Sequence, residues 1–284
     1  MAGHPHFDVP SALDYFAVLV ADDASFPLLE AAVAIAQDDD PGLDVQGVLA
    51  RVDELAARLK RRIPPDAAPL QRLRLLNQYF FHELGFAGNV NNYYDRRNSL
   101  LPAVLDSRRG IPITLAVLYT EIAAQAGLQA QGIAFPGHFL VKVHMPRGEI
   151  VIDPFSGHSL SRDELEERLA PYRHQRGAVG DDEVPLGLFL QPAPGREIIA
   201  RMLGNLKEVH RSHNDWLRLE RAQARLVVLL PQAWEERRDH ALVLAELGAH
   251  RRAAESLALY LQHRPDAADA PALRRHLAAW QQGS

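Results

Sequence analysis

Three short blocks decide how this chain reads: Gly110-Ile111-Pro112, Pro136-Gly137-His138-Phe139 and Ile152-Asp153-Pro154-Phe155. The first opens an apolar run, Pro112 to Ala126, that predicts a buried helix. Proline suits the first turn, where its missing N–H would have been unpaired anyway. Gly127 predicts the helix end. Gln129 to Phe135, Phe139 to His144 and Ile150 to Ile152 read as short strands, with Met145 to Glu149 as the turn between the last two. Antiparallel pairing about that turn brings His138, which opens one strand, beside Asp153, which closes the next. A helix start, a strand-borne His and a second-strand Asp are the layout of a Cys-His-Asp hydrolase or transferase. The nucleophile sits where the helix dipole favours an anion, the His takes its proton, and the acid fixes the His tautomer. Yet the chain has no cysteine. Disulfides, thiolate metal sites and thiol nucleophiles are thereby excluded.

Working outward, the first quarter reads as helical. Ser25 caps a short helix that runs to Ala36 and is broken by Asp38-Asp39-Asp40-Pro41-Gly42. Asp44 opens a second, with Val48, Val52, Leu55 and Leu59 at helical spacing, and Ile63-Pro64-Pro65 stops it. A third is expected from Asp66 to Leu84, capped by Gly85. Residues 86–106 then favour a long loop, since Asn89, Asn91, Asn92, Asp95 and Asn98 bond readily to nearby backbone. A short helix over Ser99 to Asp106 interrupts it. Beyond Asp153, Ser161-Arg162-Asp163-Glu164 is a capping box that starts a helix to Leu169. Residues 171–194 carry the Gly and Pro punctuation of a connector.

From Gly195 the chain is helical to its end. Pro231 and Pro265 are 34 residues apart, and so are Asn214 and Gly248. That offset is the period of a tetratricopeptide repeat, and Ala253, Leu257 and Tyr260 stand where such a repeat wants small and bulky packing residues. The earlier copy is degenerate, with Leu219 and Gln223 at the matching places. A free-standing array needs about three repeats, so these roughly two are expected to lean on the first domain.

Composition narrows the function classes. Hydrophobic residues make up 47% and charged residues 24%, as in an ordinary globular protein, and the net charge of −5 gives no general attraction to nucleic acid or anionic membrane. No apolar run reaches the ~20 residues that span a bilayer, and residues 1–10 lack the basic and apolar regions of a secretory signal, so the expected location is the cytoplasm. Metal binding finds little support. His138 and His144 share a strand face but stand too far apart for one ion, His4 and His6 lie in a tail, and His210 and His213 have helical ligand spacing without a paired acid. No cofactor is implied.

The three blocks, in their order and spacing, resemble the core of transglutaminase-like proteins. With Asn92-Tyr93-Tyr94-Asp95-Arg96-Arg97-Asn98-Ser99, Arg109 to Leu115 and Phe135 to Phe139, they resemble one bacterial family within that superfamily, the regulators of SirB type, which carry C-terminal tetratricopeptide repeats. The resemblance implies an α+β chain. A papain-like core of helices packed on a small antiparallel sheet, residues 1–194 with a helical N-terminal part, precedes an all-α repeat region, residues 195–284. Carried over residue by residue, the triad falls on Pro112, His138 and Asp153. Proline supplies neither a nucleophile nor a backbone donor, and losing the nucleophile costs such triads many orders of magnitude in rate.

The expectation is therefore a non-catalytic protein- or peptide-binding regulator, acting through its repeats or through the vacated cleft. Tyr93, Asp95, Asn98 and Thr114 are candidates for lining that cleft. The alternative is a hydrolase or acyltransferase in which a Ser or Thr, such as Thr114, Ser107 or Ser99, works with His138 and Asp153. Thr114 lies two positions past Pro112, facing away from it, and more readily bonds its own backbone. A His138–Asp153 pair kept for structure alone is a third possibility, in which the carboxylate still needs its partner.

Overall fold

The computed structural model describes residues 10–175 and 184–282. The expectations for residues 1–9, including His4 and His6, lie outside them. In chain order the helices and strands are α1 (Ala12–Leu19), α2 (Leu28–Ala34), α3 (Val45–Lys60), α4 (Pro69–Asn77), β1 (Ala87–Gly88), α5 (Leu101–Ser107), β2 (Arg109–Gly110) and α6 (Pro112–Gln125). They continue with β3 (Ala130–Ile133), β4 (Leu140–Met145), β5 (Gly148–Ile152), β6 (Ser159–Leu160), α7 (Arg162–Gln175) and α8 (Leu186–Phe189). Last come α9 (Gly195–Ser212), α10 (Trp216–Leu229), α11 (Trp234–Glu246), α12 (His250–His263) and α13 (Ala270–Gln282).

The packing forms two compact units. Residues 28–33 and 44–202 make one; residues 34–43 and 203–284 make the other, together with the described part of residues 1–27. The N-terminal forty residues divide between the units because α1 and the 3₁₀ turn Ile35–Asp38 pack against α10.

In the larger unit α6 is apolar on every side and buried from Pro112 to Tyr119. Such a helix has to be covered all round. It meets α3 on one flank and β3 and β4 on another. The sheet is an antiparallel meander in the order β3-β4-β5-β6, with Val141 opposite Ile152 and Met145 opposite Gly148. Ile133, Phe135, Leu140 and Val151 of this region pack with Leu165 and Leu169 of α7. The capping box of α7 forms as expected: the Glu164 N–H donates to Ser161 Oγ, and the Ser161 N–H to Glu164.

Two sequence expectations need correction here. The helix expected from Asp66 to Leu84 is α4 followed by a wider π turn, Gln78–Glu83, in which the Leu84 N–H reaches the Tyr79 carbonyl. That widening lets Phe80 stack on Phe86 at 4.5 Å while meeting Tyr119 edge-on at 5.3 Å. The loop over 86–106 is also more ordered than its asparagines suggest. β1 pairs in parallel with β2, Ala87 opposite Arg109 and Gly88 opposite Gly110, which closes the loop onto the first turn of α6.

The second unit repeats itself in detail. Asn214 and Gly248, 34 apart, both take left-handed backbone, φ 54° and 73°. The bonds Asp215 N–H to His210 O and Ala249 N–H to Leu244 O share that offset, as do Leu230 to Leu226 and Arg264 to Tyr260. The two hairpins, α9–α10 and α11–α12, are thus the same structure built twice. One end of the array is covered by α13, which packs Leu273 and Leu277 on Tyr260 and Leu257. The other is covered by α1 and the Ile35–Asp38 turn. There Asp38 grips the buried Arg225 at 2.7 and 2.9 Å, and Phe16 lies under its guanidinium. α1 went unread in the sequence, and it supplies part of the support that two repeats need.

Candidate functional site

The β4–β5 register explains why His138 and Asp153 meet. Val141 faces Ile152, so residues just before β4 and just after β5 emerge at the same sheet end. His138 Nε2 lies 2.9 Å from Asp153 Oδ1. The carboxylate is buried, 6% exposed, while the imidazole is 24% exposed. Asp153 also accepts the Phe155 N–H on Oδ1 at 2.9 Å and Arg168 Nη1 on Oδ2 at 3.3 Å. Burial pushes its carboxyl up, but the His138 hydrogen bond and charge, the Phe155 N–H and Arg168 outweigh it and hold the group at about 2. An ionised carboxylate can only accept, so Nε2 carries the proton. The other ring nitrogen, Nδ1, has no hydrogen bond to a protein group among the described residues.

The turn bearing His138 is held from two sides. Arg201 on α9 donates to the His138 carbonyl at 2.8 Å and to the Phe135 carbonyl at 3.5 Å, with its guanidinium over the Phe139 ring. Gly137 has φ 67°, and a Cβ there would lie 1.7 Å from the Tyr172 hydroxyl, so only glycine fits. Gly88 is equally constrained: its Cβ would lie 2.3 Å from the Phe155 ring. That ring continues to Tyr93, 6.0 Å away, and Tyr93 to Tyr94, 5.3 Å away. Tyr93 is 45% and Tyr94 74% exposed, so aromatic surface borders the His138 end of the sheet. Burial raises the Tyr93 phenol above its ordinary value, with the fields of Tyr94 and Arg201 acting on it as well.

The other expected residues are occupied elsewhere. Pro112 opens α6, buried, after Ile111 as the cap. Thr114 is fully buried, and its hydroxyl donates to the Asn98 and Ile111 carbonyls at 2.8 and 3.0 Å. Asn98 is buried too: it donates to the Asn92 and Tyr93 carbonyls and accepts from Asn89 at 3.0 Å. Asp95 caps the 3₁₀ turn Arg96–Ser99 through the Arg97 N–H. Asn98 and Thr114 thus bond within the loop, and Asp95 gives one carboxylate oxygen to it. Ser107 donates to the Ala103 carbonyl at 2.8 Å. Among the described residues no Ser or Thr hydroxyl hydrogen-bonds to the His138 ring.

Sequence reading missed Arg168, Tyr172 and Arg201. Arg168 follows the capping box on α7, but nothing in a single sequence points it at a carboxylate fifteen residues back. Arg201 reaches His138 across 63 residues, a contact with no local pattern.

Comparison with known proteins places the chain. A profile described as the transglutaminase-like superfamily matches residues 46–204, and a tetratricopeptide-repeat profile matches residues 206–278. A UPF0162 protein of Xylella fastidiosa strain 9a5c is 38% identical over 90% of each chain. UPF0162 protein PA3419 of Pseudomonas aeruginosa is 28% identical over 72% of each. UPF0162 protein YchA of Escherichia coli K12 is 26% identical over 80% of this chain and 82% of its own. No solved structure matches. The resemblance carried by the three blocks is thus shown: this chain belongs to the transglutaminase-like superfamily and to the UPF0162 family, and joins such a core to a tetratricopeptide-repeat region.

Proposed function

We propose that this protein is a protein-binding regulator of the cytoplasm whose transglutaminase-like unit carries out no covalent chemistry. The observation that carries the reading is the buried proline at the head of α6. Pro112 stands where a thiol nucleophile would, with no side-chain heteroatom and no N–H to offer. The His138–Asp153 pair supports the same reading, because the ring nitrogen outside the pair, Nδ1, is open to a hydrogen bond with a bound chain. The bordering tyrosines match the composition of protein interfaces, where Tyr and Arg are enriched. The repeats add the second support, since solenoid helices commonly present binding surfaces. No helix of the described residues is long and apolar enough to cross a membrane, and the net charge of −5 does not favour nucleic acid.

The competing reading, a Ser or Thr hydrolase or acyltransferase, draws on the same His–Asp pair. Against it stand the commitments of Thr114 and Ser107 to backbone carbonyls. Incubation of the full-length protein with a glutamine peptide and a primary amine, and separately with peptidase substrates, is expected to give no turnover. Turnover that disappears in His138→Ala would overturn the reading.

A further inference from the structure

In the transglutaminase-like unit two buried donors bond to nothing among the described residues: the Tyr79 hydroxyl and Arg108 Nη1. Tyr79 is 3% exposed and sits in the π turn that follows α4. Buried polar groups are nearly always paired, so these two are exceptions. Arg108 is unusual in a second way. It ends α5 with left-handed backbone, φ 60°, at a place where glycine costs least. A side chain kept there against the backbone's preference is the kind of local cost that functional sites retain. Its guanidinium folds over the Phe86 ring, 4.6 Å from the ring centre.

The surroundings are basic. Burial pushes the Tyr79 phenol above its ordinary value, Arg58, Arg62 and Arg108 pull it back, and Glu83 adds to the rise. Burial lowers Arg108, and the field of Arg51 lowers it further, against Asp106 and Tyr79. Three of these four guanidiniums already have a carboxylate: Arg51 has Asp106 at 2.6 Å, Arg58 has Glu54 at 3.6 Å, and Arg62 has Glu83. Arg108 has none among the described residues, so its charge is left over. Arg62 lies over the Tyr79 ring, 5.1 Å from its centre, and its side chain is 51% exposed. That side of the phenol is therefore covered by a long surface arm rather than by packed core.

We propose that Tyr79 and Arg108, with Arg58 and Arg62 turned inward, hold a tetrahedral oxyanion, the phosphate group of a small molecule. An oxyanion accepts from several directions, which is what two unpaired donors and a surplus cation lack. Guanidiniums that reach it from α3 and from the end of α5 suit a tetrahedral group better than a flat carboxylate, and arginine is well matched to phosphate. Entry needs Arg62 to swing off the ring, and its pairing with Glu83 at the surface is weakly held. Both α3 and α5 end here, and their C-terminal dipoles disfavour an anion, so the expected binding is weak. The site shares no residue with the His138 pair and stands apart from the protein-binding reading.

The test follows the phosphorus NMR line width of inorganic phosphate as full-length protein is added at constant ionic strength. Broadening is expected, reversed by sulfate and by methyl phosphate but not by acetate at the same concentration. Tyr79→Phe removes only the hydroxyl and is expected to weaken phosphate binding about tenfold, the loss of one bond to a charged group. Arg108→Gly is expected to abolish binding while the protein stays folded, since glycine relieves the left-handed backbone. Arg251→Gln, exposed on α12, is expected to change nothing. The proposal is overturned by an absence of broadening, by acetate competing as well as sulfate, or by methyl phosphate failing to compete. Binding undiminished in Tyr79→Phe or in folded Arg108→Gly overturns it too. An equal loss in Arg251→Gln does the same, because it marks a general attraction of arginine for phosphate.

Discussion

Each unit holds a buried charged group whose partner lies nearer the surface, Arg225 with Asp38 and Asp153 with His138, and these two pairs are mirror images. In the helical unit the cation is sealed: Arg225 is 0% exposed while Asp38 is 21% exposed. In the transglutaminase-like unit the anion is sealed, Asp153 at 6%, and the base faces outward. Arginine cannot shed its charge, so the first pair has no neutral fallback. Asp153 has two other partners, and His138 retains an uncommitted nitrogen. The first pair fastens the N-terminal segment to the repeats. The second leaves an atom available to something from outside.

If that contrast is right, Asp38→Ala should do the most damage, about 3–5 kcal/mol, because it strands a buried guanidinium. All three tryptophans, Trp216, Trp234 and Trp280, lie in the helical unit, so urea unfolding followed by tryptophan fluorescence reads this unit. A midpoint equal to wild type would show that the clasp contributes nothing.

Asp153→Asn comes next, at about 2 kcal/mol near neutral pH. The sign follows from a carboxyl held at about 2 against 3.8 unperturbed. Its stabilisation is complete above about pH 4 and is lost as pH falls through about 2. Hydrogen exchange of the β4 and β5 amides should therefore show wild type converging on the variant across that window. A gap that stays constant from pH 5 to pH 2 would mean the carboxylate is not the source.

His138→Ala should cost less, about 1 kcal/mol, since Asp153 keeps the Phe155 N–H and Arg168. A loss as large as that of Asp38→Ala would erase the asymmetry between the pairs. Tyr94→Ala should be the mildest, within about 0.5 kcal/mol, because the ring is 74% exposed. A larger loss in thermal melting would make the aromatic border a structural feature.

The architecture was legible where local chemistry dictates it. Pro112 and Gly127 bracket α6, Ser161 and Glu164 start α7, and the 34-residue offset foretold bonds that recur at that spacing. The His138–Asp153 juxtaposition followed from strand order and one turn. What stayed hidden depends on distant contacts. α1 carries its own capping box at Ser11 and Asp14, yet its eight residues are short and nothing local ties them to α10. Arg201 and Tyr172 brace the His138 turn from elements far along the chain. Asp95 and Asn98, candidates for the cleft, also bond to nearby backbone as turn residues do.

The claim beneath all of this is that His138 has no nucleophile to serve. Intact-mass spectrometry after exposure to a serine- and threonine-directed fluorophosphonate addresses it directly. The full-length protein should keep its native mass; a stoichiometric adduct on a hydroxyl, absent from His138→Ala, would contradict the account.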